Sequence, residues 1–304
     1  MTRHAFLVIA HAEPRILSVL LRQLDHPGFD VYLHIDAKAR QMQETFADYK
    51  PLRGGSFCML QQHVDVRWGD IGQVEVEMLL LRMAAQHGPY AYYHILSGVD
   101  LLLKTPDELC RAFAANPQAE YVGFWNSPAH LRDLKRKTGR VYLFTRHMKD
   151  KGTPVHAWVS FLRNAALAVQ KLIHYSRPVP KGMEFRKGSN WASITEEACR
   201  YVLLHEPHLH HRLRHMLCPD EIFLQTLIWN SPLRDRIFQP EAEDTEHSTL
   251  RRIDWQRGSP YIWTERDVDE LLDCKAVFAR KFSSEHWGAV EAVARHTCPS
   301  SRQE

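Results

Sequence analysis

One acidic side chain that could take part in catalysis lies at the start of a predicted helix. Glu221 follows Pro219 at the start of a predicted helix, where the chain emerges from a loop. A carboxylate in such a position can accept a proton as a general base. An acid in the first helical turn also interacts favourably with the helix dipole. The sequence alone leaves both interpretations of Glu221 open.

Two pairs of basic residues lie near the end of the chain, Arg251 with Arg252 and Arg280 with Lys281. An Arg guanidinium offers a planar fork to phosphate oxygens, and a Lys ammonium offers a point charge. Runs of charge usually form solvated faces. Lys281, however, stands among the apolar or aromatic residues of VFARKF, which is less typical of a free surface.

The elements that must position these residues alternate between strands and helices in the first 125 residues. Apolar runs predict strands at Phe6–Ala10, Phe29–Ile35, Tyr90–Leu96 and Glu120–Phe124. Helical spacing predicts helices at Glu13–Leu24 and Gly72–Gln86, and Thr105-Pro106 predicts a helix N-cap. This alternation predicts an α/β fold with a mostly parallel sheet, which binds ligands beyond the carboxyl ends of its strands.

The rest of the chain predicts an insertion and then a continuation of the same domain, not a second domain. Residues 126–186 contain a basic cluster at Arg132–Arg140 and a long predicted helix at Pro154–His174. A strand–helix unit at Lys187–Leu204, a helix at Pro219–Trp229 and a terminal unit from Leu250 follow. We therefore predict a single domain over 1–304, with a ligand-binding half at 1–125, a helical insertion at 126–186 and a second half at 187–290.

The composition excludes several classes of protein. Of the 304 residues, 44% are hydrophobic and 25% are charged, which is ordinary for a folded protein and not for a disordered one. The net charge of +3 argues against a protein that coats nucleic acid. The six Cys form no C-x-x-C pair, and they are interpreted as reduced. No signal peptide and no apolar run of membrane-spanning length is present, so the sequence predicts a cytoplasmic location.

Seven short motifs in one order resemble the core-2/I-branching N-acetylglucosaminyltransferase family, which includes the peptide O-xylosyltransferases. They are HIDAK at 34–38, VRWG at 66–69, HILSGVD at 94–100, KGSNW at 187–191, PDEIF at 219–223, LRRIDW at 250–255 and FARKF at 278–282. The resemblance runs from about residue 5 to 283. It implies a GT-A-type fold, with a mostly parallel central sheet flanked by helices, and inverting transfer from a UDP-sugar without a metal.

The resemblance also implies roles for individual residues. It places the general base on Glu221 and the cations that stabilise the diphosphate leaving group on Arg251 and Lys281. Arg252 and Arg280 are adjacent alternatives for these two cations.

The resemblance also implies which residues bind the nucleotide-sugar. They follow the first predicted strands or belong to the motifs between these strands. His11 and Asp36 are expected at the uridine, Trp68 and Gly69 are expected to close on the nucleotide, and Asp100 is expected near the donor sugar. Trp191 and Trp255 can stack on sugar faces. Each also has a purely structural interpretation: a loop His, a buried Trp that packs the sheet, or a turn Asp.

No metal or cofactor is expected, because no Asp-x-Asp pair follows a predicted strand. Asp267-Val268-Asp269 belongs to a predicted capping box with Thr264 and is interpreted as structural. Five His between 205 and 215 could place two or three rings on one helical face. Pro207 is expected to break this segment, which predicts a polar surface and no metal site.

The sequence therefore predicts transfer of N-acetylglucosamine or xylose from a UDP-sugar to a hydroxyl of a glycan or peptide, as in polysaccharide biosynthesis. Two alternatives stay open: a metal-dependent GT-A transferase of another family, and a non-catalytic carbohydrate-binding protein on this fold. Binding to nucleic acid is not expected. The basic run RDLKRKTGR can face anionic lipid, which predicts peripheral contact at the inner face of the membrane.

Overall fold

Buried apolar residues form the strands of two sheets in this computed structural model, which describes residues 2–149 and 154–298. The strands within those residues are β1 (His4–Ala10), β2 (Phe29–Ile35), β3 (Ser56–Met59), β4 (Tyr92–Ser97), β5 (Asp100–Leu102), β6 (Ser193–Thr195), β7 (Arg251–Ile253) and β8 (Phe278–Arg280). The central sheet has the order β3-β2-β1-β4-β6, and a smaller sheet has the order β5-β8-β7.

Strands β1 to β4 of the central sheet are parallel, and β6 is antiparallel to β4. Every residue of β1, β2 and β4 is buried, as is typical of parallel strands covered on both faces. The register pairs Ala10 with Ile35 and Ile9 with Ser97. The carboxyl ends of these three strands therefore meet at one edge of the sheet.

Eleven α-helices lie within the described residues, and several of them pack on the two faces of this sheet. They are α1 (Pro14–Gln23), α2 (Arg40–Phe46), α3 (Gly72–His87), α4 (Pro106–Ala114), α5 (Pro128–Gly139), α6 (Pro154–Leu172), α7 (Glu196–Leu213), α8 (Phe223–Trp229), α9 (Thr245–Thr249), α10 (Val268–Asp273) and α11 (Trp287–Thr297). Short 3₁₀ helices lie at Thr145–His147, Pro219–Glu221, Arg234–Arg236, Glu265–Asp267 and Ser284–His286.

One apolar cluster lies on each side of the central sheet. Helices α3, α7 and α8 bury side chains such as Leu81, Val202 and Leu224 in the first cluster. Helices α1 and α11 bury Leu20 and Val293 in the second. The predicted α/β fold, with a mostly parallel central sheet flanked by helices, is confirmed. No helix in the described ranges is long and apolar enough to cross a membrane.

Two local predictions are wrong. The predicted strand at Glu120–Phe124 forms only single bridges, from Glu120 to Ile237 and from Tyr121 to Ser193, because its backbone bonds in turn to different segments and follows none of them for long. Pro207 does not break the helical segment and instead lies inside α7. Burial of α7 side chains against the core, Leu209 and Leu213 among them, offsets the cost of about 3 kcal/mol for an internal Pro.

Candidate active site

A cavity of about 700 Å³ opens at the edge where the parallel strands end. Eight of the residues that line it were singled out from the sequence: His11, Asp36, Trp68, Gly69, Trp191, Glu221, Trp255 and Arg280. The structure therefore brings together side chains from the beginning, the middle and the end of the chain. This is the position that the α/β fold predicts for a ligand.

Glu221 lies in the wall of this cavity, at the end of the 3₁₀ helix Pro219–Glu221, and its side chain is 27% exposed. Its Oε2 atom accepts a hydrogen bond from Nζ of Lys137 at 2.9 Å and lies 3.2 Å from Nζ of Lys187. Both lysines contact the same carboxylate oxygen. The other oxygen, Oε1, thus has no part in these two ion pairs.

The two lysines are themselves held in a nearly buried network with α5. Each Lys side chain is only 7% exposed, and Asp133 Oδ2 lies 2.6 Å from Lys187 Nζ and 3.3 Å from Lys137 Nζ. Burial alone would lower the pKa of Lys137, but the Glu221 carboxylate and other neighbours outweigh it and raise the pKa. Burial would likewise raise the pKa of Asp133, but the Lys187 hydrogen bond and the nearby cations hold it below its usual range.

Gly188 fixes the backbone next to Lys187. A Cβ atom at this position would lie 1.8 Å from the carbonyl oxygen of Gly123. Only glycine therefore allows these two segments of the backbone to approach this closely. The Gly188 N–H donates to the Glu221 carbonyl at 2.9 Å. The segment that carries Lys187 is therefore tied to the backbone of Glu221 itself.

Asp36 follows β2 and organises the opposite side of the cavity. Its buried carboxylate accepts hydrogen bonds from the backbone N–H groups of Lys38 at 2.8 Å and Val66 at 3.0 Å, and it pairs with the Lys38 ammonium. The nearby His11 has a lowered pKa. Partial burial lowers it most, Asp36 opposes this, and the cations Arg280 and Lys38 add to the lowering.

Trp68 and Gly69 form a turn that lines the cavity. The indole is 51% exposed, and Nζ of Lys149 lies 4.6 Å from its ring centroid. Gly69 has φ +81°, and a Cβ there would come within 2.9 Å of a Leu217 methyl group. The turn thus needs glycine at 69.

Arg280 lies in the cavity wall and is backed by Asp100. The two residues are register partners of β8 and β5, and NH1 of Arg280 donates to Asp100 Oδ1 at 2.9 Å. The guanidinium carbon lies 4.3 Å above the Trp191 ring. The Arg280 Nε is buried and makes no hydrogen bond within the described residues. Asp100 is buried behind Arg280 and does not line the cavity, and its position near the donor sugar stays a prediction.

Arg251 occupies a different place from the one that the sequence predicted. Its side chain is buried, and the guanidinium donates to the carbonyl oxygens of Thr249 at 2.7 Å and Ala192 at 2.7 Å and to Ser193 Oγ at 3.0 Å. Burial lowers its pKa to about 9. The N–H groups of the Arg251 guanidinium, which were expected to bind phosphate, thus donate to the protein itself.

The remaining two candidate cations, Arg252 and Lys281, differ in their position relative to the cavity. Arg252 forms ion pairs with Glu246 and Glu270 outside the cavity. Lys281 does not line the cavity in this structure but contributes to the lowered pKa of His11, so its charge acts near the cavity. The geometry therefore favours Arg280 over Arg251 and Arg252 as the guanidinium that faces a ligand.

Replacing Arg251 by methionine is expected to lower the free energy of unfolding by about 3 kcal/mol, because it leaves several buried carbonyl groups without their donor. Chemical denaturation measures this effect. Arg252→Met, on the same strand but with partly exposed ion pairs, should cost less than about 1 kcal/mol. An Arg251→Met protein of unchanged stability would contradict this structural role of Arg251.

Two acids near Glu221 with raised pKa values were missed by the sequence analysis. Asp220 lines the cavity, and burial together with the Glu221 charge raises its pKa to about 7. Glu77 on α3 is fully buried, and burial raises its pKa well above the usual value. It accepts hydrogen bonds from Gln73 at 2.9 Å and Asn190 at 3.2 Å. Burial depth, which decides these shifts, is not readable from local sequence.

The raised pKa of Asp220 makes the protein less stable as the pH rises. In the unfolded chain Asp titrates near 4, so between about pH 4 and pH 7 the folded state binds more protons and loses stability with increasing pH. Asp220→Asn removes this loss. Relative to the variant, the unchanged protein should lose on the order of 2 kcal/mol of unfolding free energy between pH 5 and pH 8. The exposed Asp235→Asn serves as the control, and parallel pH profiles for all three proteins would refute the assignment.

Other sequence predictions concern residues outside the cavity. Asp267 accepts hydrogen bonds from the Thr264 backbone and hydroxyl, which confirms the capping box. His210 bonds to the buried carboxylate of Glu206 at 2.7 Å. All six Cys are free thiols. Across the described parts of the chain, no group of three or more His, Cys, Asp and Glu is placed to hold a metal ion.

Comparisons with known proteins add a family and distant relatives. A sequence profile described as "Core-2/I-Branching enzyme" matches residues 4–271. Xylosyltransferase 2 of Rattus norvegicus is 23% identical over 308 residues, which cover 93% of this chain and 32% of the rat protein. The chain thus spans about a third of the length of the curated relatives that it matches.

Two solved structures superpose weakly on the chain. Mouse xyloside xylosyltransferase 1 in its apo form has 12% identity and a TM-score of 0.41, with 93% of this chain and 99% of that chain covered. S. aureus TarS 1–349 in complex with UDP has 12% identity and a TM-score of 0.39, with 99% and 67% covered.

Proposed function

Because this chain is a member of the Core-2/I-Branching enzyme family, we propose that it transfers a sugar, with inversion, from a UDP-sugar donor to a hydroxyl group of a glycan or peptide. N-acetylglucosamine and xylose are the proposed sugars. The names of the relatives favour xylose. The resemblance of the seven motifs to the core-2/I-branching N-acetylglucosaminyltransferases favours N-acetylglucosamine.

The observation that supports this proposal best is the placement of Glu221. Its carboxylate lies in the cavity wall, one oxygen is fixed by Lys137 and Lys187, and the other is outside those ion pairs. A positioned carboxylate of this kind suits a general base, whose efficiency depends on geometry. Inverting transfer needs one such base.

The proposed reaction is a single displacement. Glu221 takes the proton of the acceptor hydroxyl as that oxygen forms a bond to the anomeric carbon of the donor sugar. The bond between the anomeric carbon and the diphosphate oxygen breaks, and its electron pair leaves with UDP. The negative charge that develops on the diphosphate must be stabilised within the cavity.

Arg280 is the residue that we assign to this charge, with Lys281 as a second cation nearby. The buried Arg280 Nε has no partner in the described residues, and Asp100 and Trp191 hold the guanidinium in place. Fixed cations can replace a divalent metal in this role, so we propose that transfer proceeds without a metal.

The remaining cavity residues fit the nucleoside and the sugar. His11, Asp36, Trp68 and Gly69 lie around the ends of β1 and β2 and are proposed to bind uridine. Trp191 and the half-exposed Trp255 present aromatic surface to a sugar, although the Trp191 ring also packs on Arg280.

A thermal-shift panel tests the proposal, with UDP, UDP-N-acetylglucosamine, UDP-xylose, UDP-glucose, GDP-mannose and ADP, each in EDTA or Mn²⁺. A ligand at 100 times its dissociation constant stabilises a protein by about 2.7 kcal/mol. We expect UDP compounds to stabilise the chain in EDTA. Stabilisation that requires Mn²⁺ would favour a metal-dependent transferase. No stabilisation by any of the nucleotides would favour the non-catalytic carbohydrate-binding alternative.

A further inference from the structure

Helix α6 turns an apolar stripe towards solvent. Trp158, Phe161, Leu162, Val169 and Leu172 recur at intervals of three, four and seven residues, which places them on one face of the helix. Their exposed fractions are 69%, 63%, 48%, 56% and 79%. A helix on the surface of a globular protein normally buries its apolar stripe and exposes its polar face.

The polar face of α6 is the one that packs against the protein. Gln170 exchanges two hydrogen bonds of 2.9 Å with the backbone N–H and carbonyl of Val141. His156 Nδ1 lies 2.9 Å from the His147 carbonyl oxygen, and Arg163 is 8% exposed. These contacts fix the rotation of α6, so the outward direction of the stripe is built into the fold.

The apolar surface continues beyond the end of α6. Ile173, Tyr175 and Val179 are 62%, 43% and 54% exposed. Isolated exposed apolar residues are common, but a continuous stripe of this length marks a surface that binds something else.

The charge of the segment that carries the stripe indicates which partner it takes. Residues 126–186 contain 13 Lys and Arg and 3 Asp and Glu, a net charge of +10 in a chain whose total is +3. The other residues therefore carry a net −7. Exposed cations in this segment include Arg132, Lys135, Lys171 and Lys181. The basic run at 132–140 contributes to this charge, although its Lys137 is buried beside Glu221.

We propose that α6 docks the protein on an anionic membrane surface. The apolar stripe inserts at the boundary between headgroups and acyl chains, and exposed Lys and Arg side chains of the same segment contact lipid phosphates. A second copy of the chain fits this surface less well, because pairing two stripes would bring two segments of charge +10 together. The helix lies on the membrane and does not span it.

Vesicle flotation with the full chain tests this proposal. We expect binding to vesicles of phosphatidylcholine with 30% phosphatidylglycerol, and binding at least about tenfold weaker to phosphatidylcholine alone or in 0.5 M NaCl. The triple variant Trp158→Ser, Leu162→Ser, Leu172→Ser should bind the anionic vesicles roughly a hundredfold more weakly. These side chains are exposed, so the variant should keep the unfolding transition of the unchanged protein.

The matched control is the double variant Leu52→Ser, Leu204→Ser, which removes two side chains that are 93% and 67% exposed elsewhere on the surface. It should bind vesicles as the unchanged protein does. The proposal is overturned if the unchanged protein fails to float, or if the triple variant floats equally well. Light scattering that shows a dimer dissolved by the triple variant would assign the stripe to a second copy instead. None of these readings depends on sugar transfer.

Discussion

Glu221→Gln should abolish sugar transfer while UDP binds nearly as tightly as before. The amide can still accept a hydrogen bond from Lys137, so the side chain keeps its place, but it cannot take the proton of the acceptor hydroxyl. A general base typically contributes a factor of 10² to 10⁴ to the rate, and we expect kcat to fall by about 10³. Steady-state transfer assays and UDP titration by calorimetry measure the two quantities.

The same variant needs a stability control, because it leaves Lys137 and Lys187 with Asp133 as their remaining carboxylate. Unfolding of Glu221→Gln should therefore be compared with that of Glu44→Gln, an exposed position on α2 that should change neither activity nor stability. Turnover of Glu221→Gln at the rate of the unchanged protein would exclude Glu221 as the base. A loss of UDP binding equal to the loss of activity would indicate a disrupted cavity.

Arg280→Met should weaken UDP binding about 30- to 100-fold. The variant removes the guanidinium that lies in the cavity, and hydrogen bonds to charged groups are each worth about 1.5–3 kcal/mol. Uridine has no diphosphate, so its affinity should change little. The ratio of the two dissociation constants, measured on one protein sample, isolates the phosphate contact from any general damage to the fold.

Two further variants sharpen this test. Arg252→Met removes a neighbouring cation whose partners, Glu246 and Glu270, lie outside the cavity, and it should leave both affinities unchanged. Arg280→Lys keeps a positive charge without the planar fork and should recover part of the UDP affinity. Equal weakening of UDP and uridine by Arg280→Met would contradict a diphosphate role for Arg280.

The sequence by itself determined the order of the main elements and the edge of the sheet at which the cavity forms. Apolar period and turn residues identified β1, β2, β4, α1 and α3 within a few residues of their bounds, because these signals are local. Residues that directly follow parallel strands, such as Asp36 after β2, had to lie near one another, because the carboxyl ends of parallel strands meet at one edge of the sheet. The signals for the helix N-cap at Thr105 and the capping box at Thr264 were equally local.

Only the tertiary structure decided which charged side chains face the cavity. Arg251 and Arg252 alternate in direction along β7, and nothing in the local sequence says which direction is inward. The sequence left Arg252 and Arg280 as alternatives for the cation that contacts the diphosphate. The ion pair of Arg280 with Asp100, 180 positions away in the chain, holds its guanidinium in the cavity wall. Lys137 looked like part of a solvated basic run, and its contact with Glu221 joins residues 84 positions apart.

The orientation of α6 shows the same limit in a different way. Its apolar stripe is plain in the sequence, but burial of that stripe would have been the ordinary expectation. Polar contacts from Gln170 and His156 to distant backbone turn the stripe outward. Periodicity fixes which side chains share a face of a helix, whereas long-range packing fixes which face meets the protein.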